Sequence, residues 1–175
     1  MSVWIIIVAI LVGCVPGLLV LVVAIYTMRG MRESQAQQSR IHEAIEMRKV
    51  TLPVRLQAIE RLALLLERIS PEALMLRTPT EDMNVQQYEA RLLATVREEF
   101  NHNLSQQVYV HDSTWGEIRQ AKGNVSQFIT LCAQKTHAEA PANELNKTML
   151  MVLKELQAHP VAQALAMLRA EASQY

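Results

Sequence analysis

Cysteine, glycine and aromatic residues are scarce in this chain, and each scarcity limits the classes of protein to which the chain can belong. The 175 residues include two cysteines, five glycines, two Trp, four Tyr and two Phe. Cys14 and Cys132 are too far apart in the sequence to indicate a disulfide, and a reducing compartment is compatible with this composition. Leu, Ala, Met, Gln, Glu and Arg predominate, and these residues favour helices. The composition therefore predicts an all-α protein.

Net charge is absent too. The 17 basic and 17 acidic residues balance, and all of them follow residue 28. This balance argues against nucleic acid as a partner, because phosphate binding requires a clustered basic surface. The glycine-rich signatures of nucleotide-binding loops are also missing, so no nucleotide cofactor is predicted.

Charged side chains are missing altogether from the first 28 residues. The apolar run Val3–Met28 is long enough, as a helix, to cross a bilayer. No basic residue precedes it, and the first five follow it directly: Arg29, Arg32, Arg40, Arg48 and Lys49. This asymmetry predicts a single-pass signal-anchor helix over residues 1–30, with the N-terminus outside and the C-terminal domain in the cytoplasm.

Three other interpretations of the apolar start have weaker support. A cleaved secretory signal would need a basic start and a shorter apolar run. Leu11–Cys14 resembles a bacterial lipoprotein box, but apolar or small residues follow it where a polar tether is expected. A core helix of a soluble domain is seldom apolar over this length. A retained anchor is therefore the prediction.

Small residues recur along the predicted anchor. Ala9, Gly13 and Gly17 are four residues apart and share one stripe of a helix, and Pro16 predicts a bend because it removes a backbone hydrogen bond. A G-x-x-x-G step lets two helix backbones approach closely. The stripe predicts transmembrane packing against another subunit or a second copy, although Gly and Pro are also common in membrane helices without such a role.

The rest of the chain is predicted to be a helical stalk over residues 31–50, which continues the anchor helix, and a cytoplasmic bundle of about five helices over residues 51–175. Thr51–Pro53 is expected to end the stalk, because proline disfavours helix in the residue before it. The predicted elements are helices over Pro53–Ile69, Pro71–Leu76 and Asn84–Asn103, an extended connector over Gln106–Val110, a helix from a cap at Asp112, Ser113 or Thr114 through Cys132, a helix beginning near Pro141, and a last helix over Pro160–Ala172.

Two segments carry a resemblance to a known family. TLPVRLQAIERLALLLERISPEALMLR (Thr51–Arg77) and RLLATVREEFNHNLSQQVYV (Arg91–Val110), behind an N-terminal anchor, resemble an uncharacterised family of small single-pass inner-membrane proteins of Bacteroidota, a domain of unknown function. The resemblance covers most of the part after the anchor. It implies a bacterial inner-membrane protein with a helical cytoplasmic domain, and it supplies no activity, cofactor or catalytic residue.

One Glu-x-x-His motif is the strongest candidate for chemistry. Glu99 and His102 lie on one helix face, as ligands do in di-iron bundles, but those bundles use two such motifs and two further Glu. A single copy is better explained as polar residues at a helix end, where His suits the helix dipole. Cys132 lies on an apolar stripe and is predicted to be a small core residue. No catalytic, cofactor-binding or metal-binding residue is therefore predicted.

Charged pairs recur along the most apolar helix of the predicted bundle. Glu60–Arg61 is repeated seven residues later as Glu67–Arg68. In a self-associating bundle, such rows select register and partner through pairs between helices, which predicts a role in helix association. On an ordinary surface they only solvate the helix. The Arg97–Glu99 segment contains candidate partners within the chain.

Together these features predict a non-catalytic, membrane-anchored structural or accessory subunit of a larger inner-membrane assembly. Its expected partners are other membrane-protein subunits or copies of itself, and the lipid bilayer. Two alternatives stay open. One is a metal- or ligand-binding helical sensor or enzyme that uses the region of Glu99 and His102. The other is a homo-oligomeric membrane scaffold that recruits soluble partners.

Overall fold

A computed structural model describes residues 3–174 as a chain of helices. Outside the description lie residues 1, 2 and 175, and the side chains at positions 6–8, 10, 11, 14–16, 29–39, 41, 43 and 44. The described elements are α1 (Val3–Arg68), α2 (Pro71–Arg77), α3 (Val85–His102), a 3₁₀ helix (Leu104–Tyr109), α4 (Asp112–Gln134), α5 (Ala142–Glu155) and α6 (Ala162–Ala172). The all-α prediction is confirmed for these residues.

The chain divides into two compact units, Met1–Val50 and Thr51–Tyr175. In its described part, the first unit consists of the first portion of α1. The second unit contains the last portion of α1 and all the later helices. The candidate sites in the second unit are therefore built from elements of that unit alone.

The predicted membrane-spanning helix is wrong. The apolar run is the beginning of α1, which continues as one helix into the polar segment after residue 28. Within residues 3–174, no helix contains a described stretch that is both long enough and apolar enough to cross a bilayer. The single-pass topology over residues 1–30 is corrected accordingly, as is the inner-membrane location with an external N-terminus that depended on it.

The predicted break at Thr51–Pro53 is also wrong, because α1 runs through these positions without interruption. Proline in a helix interior removes one hydrogen-bond donor and crowds the preceding turn, at a cost of about 3 kcal/mol. Ala58, Ile59 and Leu62 are buried on the turns that follow. Burial of each large apolar side chain contributes about 1.5–3 kcal/mol, which offsets the cost of the proline.

Short sequence signals determine where α2 and α3 begin. Ser70 caps α2 by accepting a hydrogen bond from the Ala73 backbone N–H at 3.3 Å, and Pro71 occupies the first helical position. Asn84 Oδ1 accepts from the Gln87 N–H at 2.9 Å, and Gln87 Oε1 accepts from the Asn84 N–H at 3.2 Å. This reciprocal capping box satisfies two backbone donors that the helix itself cannot pair. Both predicted starts are confirmed.

The core of the second unit forms from one apolar stripe on each longer helix. The apolar residues that recur at helical spacing along α3 are all buried, namely Val85, Tyr88, Leu92, Val96 and Phe100. Phe100 stacks on Trp115 of α4, with ring centroids 5.4 Å apart. Further core side chains come from the other helices: Leu62, Leu65, Leu66, Leu74, Ile118, Val125, Ile129, Leu145, Met149, Ala164 and Leu168.

Two local predictions before and within α4 are wrong. Most of the predicted connector Gln106–Val110 is not extended, because its residues up to Tyr109 belong to the 3₁₀ helix, and the backbone is extended at Val110 alone among these five residues. Asp112, Ser113 and Thr114 do not cap α4 either. Asp112 is already helical and His111 is the cap residue, without a side-chain cap hydrogen bond of its own.

Candidate functional site

Glu99, the carboxylate of the Glu-x-x-His motif, is held by two arginines. Glu99 Oε1 accepts a hydrogen bond from Arg77 Nη2 at 2.7 Å and lies 3.4 Å from Arg68 Nε. The Glu99 side chain is only 13% exposed, so these charge-assisted contacts form at the margin of the core. They connect α3 to α2 and to the last turn of α1.

Both arginines contact the same oxygen of Glu99, Oε1. His102 is exposed at the end of α3, and it shares with Glu98, Glu99 and Arg77 a surface hollow of about 430 Å³. Among the described side chains, no three His, Cys, Asp or Glu residues are grouped so that they could hold a metal ion. The arrangement suits structural ion pairs better than ligation.

The four charged residues of the Glu-Arg repeat are exposed on α1. Arg68 reaches Glu99, which is one of the intrachain partners that the sequence suggested. Glu60, Arg61 and Glu67 lie on the same exposed side of the helix. Their role in association stays a prediction.

The small-residue stripe lies on exposed helix surface in the first unit. Ala9, Gly13 and Gly17 are exposed, and a Cβ atom added to either glycine would meet no heavy atom within 4 Å. The side chain of Pro16 lies outside the described ones. The stripe is therefore open to a close approach by another helix.

A large groove in the second unit was not predicted from the sequence. It is a groove of about 760 Å³ between α4, the end of α5 and α6, and we call it the α4–α6 groove. Its apolar wall is contributed by Phe128, Leu131, Val152, Leu156, Ala162 and Ala166. Its polar rim contains Asn124, Gln127, Lys135 and Gln163.

Small side chains on α6 create the α4–α6 groove. Ala162 and Ala166 are four residues apart, so they share the face of α6 that lines the groove. The segment between α5 and α6 lines one part of it through His159, whose Nε2 lies 2.9 Å from Glu72 Oε2 on α2. This contact attaches the connecting segment to α2.

Cys132 lies beneath the α4–α6 groove and is fully buried, which confirms its predicted place in the core. Burial raises the pKa of the Cys132 thiol above its ordinary value, and the nearby charge of Lys135 only partly opposes that effect. The thiol is therefore protonated at neutral pH. A protonated, buried thiol is a poor nucleophile, so this environment favours a structural role for Cys132.

We expect Cys132 to resist thiol reagents in the folded protein. In a Cys14→Ser background, reaction with Ellman's reagent at pH 8 should be at least about a hundredfold slower than in denaturant, because the thiol must wait for local opening and then ionise from a raised pKa. Because the pKa is raised, the reaction should accelerate at higher pH values than the reaction of a free thiol does. An immediate reaction at pH 8 would contradict this assignment and reopen the case for a nucleophile.

Comparison with known proteins gives a family without an activity. Neither a curated protein nor a solved structure matches the chain. The resemblance to a family of unknown function is confirmed, while the assignment of that family to Bacteroidota stays a prediction. The match extends over residues 5–175, from the apolar beginning of α1 to the end of the bundle, and the chain therefore belongs to the family of unknown function DUF7935.

Proposed function

We propose that this chain is a non-catalytic structural or accessory subunit that assembles with other protein subunits through the first part of α1. The observation that carries this proposal is the apolar surface of the first unit. Trp4, for example, is 76% exposed. The other large apolar side chains described as exposed within residues 3–28 are Val3, Ile5, Val12, Leu18, Leu19, Val20, Leu21, Val22, Val23, Ile25, Tyr26 and Met28.

A surface of this kind calls for a covering partner. Contiguous exposed apolar surface on a protein marks an interaction site. In its described part the first unit is a single helix, and most of the stability of a helix in a protein comes from packing of its apolar face. A partner helix laid along residues 3–28 would bury side chains that each contribute about 1.5–3 kcal/mol on full burial.

The stripe of Ala9, Gly13 and Gly17 supplies a docking geometry for such a helix. The distance between two packed helix axes depends on the side chains at the contact, and small residues permit the shortest distances. Because the space beyond both glycines is open, a partner backbone can approach there and gain dispersion contacts along several turns.

The candidate chemical groups support a non-catalytic role. Glu99 forms ion pairs with Arg68 and Arg77, and burial raises the pKa of Cys132, which favours a structural role for both side chains. The proposal therefore assigns the bundle a structural task, in which Glu60, Arg61 and Glu67 remain on the exposed side of α1 for contacts with neighbouring subunits.

Purification of the tagged chain from its native host, at native expression, tests this proposal. Light scattering and protein mass spectrometry should find a particle heavier than the 19.8 kDa chain, with the same foreign subunits in every preparation. Gly13→Leu and Gly17→Leu should each lower recovery of those subunits about tenfold, which corresponds to about 1.4 kcal/mol, because leucine blocks the close approach.

Gly123→Leu is the matched control, since Gly123 lies on α4 and also has open space around its Cβ position. All three changes raise helix propensity, so a loss of partners cannot be attributed to a broken helix. A homo-oligomer without foreign subunits would contradict the accessory role and favour the scaffold alternative. A monomer with no companions would overturn both.

A further inference from the structure

We propose that the α4–α6 groove binds an amphiphilic anion, namely a carboxylate carried on a single unbranched alkyl chain of medium length. This inference does not depend on the assembly role of α1, because the groove belongs entirely to the second unit. It rests on the size of the groove, the composition of its wall and the sign of the charge on its rim.

The size of the α4–α6 groove fits a small molecule. Its volume of about 760 Å³ lies within the range of roughly 300–1,000 Å³ that is typical of small-molecule sites. Phe128 and Leu131 on α4 and Val152 and Leu156 near the end of α5 present aromatic and aliphatic surface. Leu131 and Leu156 are exposed although they are large apolar side chains, so an alkyl chain along them would remove apolar surface from water.

The shape of the wall favours an unbranched chain. Ala162 and Ala166 on α6 contribute small side chains to the wall, while α4 contributes the larger Phe128 and Leu131. A methylene chain can adjust its torsions to such an uneven wall, whereas a rigid ring system cannot.

The rim specifies the charge of the ligand. Lys135, at the end of α4, is exposed and places an ammonium group beside the apolar wall. Among the described residues that line the groove, none is Asp or Glu, and Asn124, Gln127 and Gln163 offer only neutral amides. His159 already contacts Glu72 at 2.9 Å. A carboxylate near Lys135 is therefore electrostatically complementary to the groove. Lys135 would repel an ammonium headgroup, and no acidic residue among the described lining residues would offset that repulsion.

Dodecanoate is the probe for this site, with dodecanol and dodecylamine as its neutral and cationic counterparts. The full chain should bind dodecanoate with a Kd on the order of 10 μM when titrated below its micelle concentration and observed by NMR of an isotope-labelled C1 carbon, which all three compounds contain. Dodecanol should bind several-fold more weakly, and dodecylamine more weakly still. Equal binding of all three compounds would overturn the anion assignment.

Variants separate the groove from the exposed apolar part of α1, which could also attract an alkyl chain. Ala166→Phe places a large side chain in the α4–α6 groove and should abolish saturable binding. Ala170→Phe, on an exposed position of α6 outside the groove, should leave binding intact. Lys135→Glu should weaken binding about tenfold. Lys147→Glu, at an exposed lysine of α5 that does not line the groove, should have no effect. Circular dichroism confirms that each variant is folded.

Three outcomes would overturn the proposal. Binding that persists unchanged in folded Ala166→Phe would place dodecanoate elsewhere on the chain. Equal effects of Lys135→Glu and Lys147→Glu would show that net charge, and not a headgroup contact, controls binding. A change in oligomeric state on Ala166→Phe, without any added ligand, would identify the groove as a contact between protein subunits.

Discussion

Replacing Leu66 with alanine is expected to lower the free energy of unfolding by about 3–5 kcal/mol. Leu66 is on α1 within the second unit, its side chain is 0% exposed, and it belongs to the continuous core of that unit. The substitution removes buried apolar atoms and leaves a cavity that the neighbouring helices fill only in part. Urea unfolding followed by Trp115 fluorescence, in a Trp4→Phe background, reports on this core because Trp115 is buried against Phe100.

Leu64→Ala is the matched control for this measurement. Leu64 is two residues away on the same helix but is 61% exposed, so its loss should change the free energy of unfolding by less than about 0.5 kcal/mol. Equal effects at the two positions would mean that residues 51–68 do not pack with the face that the structure describes. A near-zero effect at Leu66 alone would remove the end of α1 from the core.

The same helix shows how far hydrophobic periodicity reaches. Ile59, Leu62 and Leu66 recur at helical spacing, and all three are buried. Leu52 and Leu56 continue the same spacing, but these side chains are partly exposed or exposed, because within residues 51–68 burial begins at Ala58. Periodicity specifies a direction around the helix axis. It does not specify where along the axis other helices start to cover that face.

Proline and β-branched residues misled the prediction of boundaries for a related reason. Pro53 disfavours helix locally, and Val108 and Val110 favour strands, yet the chain is helical through Pro53 and winds into a 3₁₀ helix up to Tyr109. Both signals describe one residue and its neighbours, whereas packing of several turns decides the conformation. The caps at Ser70 and Asn84 were predictable because their hydrogen bonds join residues only three positions apart.

The α4–α6 groove could not be predicted, because it depends on which faces of three helices meet. In the sequence, Ala162 and Ala166 indicate only a preference for helix, and Phe128 indicates only a position on an apolar stripe. Only their juxtaposition shows that the alanines leave space beside the aromatic ring. The Arg77–Glu99 pair likewise joins residues 22 positions apart, so no local pattern distinguishes it from surface solvation.

The second large expected effect on stability concerns Glu171. Its carboxylate caps the beginning of α4, where the cap residue His111 makes no side-chain cap hydrogen bond. Its side chain is 2% exposed, and its two oxygens accept the backbone N–H of His111 at 3.0 and 3.3 Å. His111 Nδ1 lies 3.0 Å from the same carboxylate. A negative charge at this position also complements the positive end of the α4 dipole. Glu171 thereby ties α6, almost at the end of the chain, to the beginning of α4.

Glu171→Ala is expected to lower the free energy of unfolding by about 2–3 kcal/mol, because it leaves the His111 N–H without its carboxylate acceptor and removes buried packing. Glu171→Gln keeps an oxygen that can accept one hydrogen bond and should cost about 1 kcal/mol, since it loses the charge but not the shape. Glu155→Ala, at the exposed end of α5, is the control and should change stability by less than about 0.5 kcal/mol.

The order of these three variants separates the physical causes, with urea unfolding as the measurement. If Glu171→Gln costs as much as Glu171→Ala, the charge at the α4 terminus is the main contribution and the hydrogen-bond geometry is secondary. If Glu171→Ala is no more harmful than Glu155→Ala, the contact does not stabilise α4. That result would also mean that Glu171 does not hold the beginning of α4 to the end of α6. The side of the bundle formed by these two helices would then be stabilised by apolar packing alone.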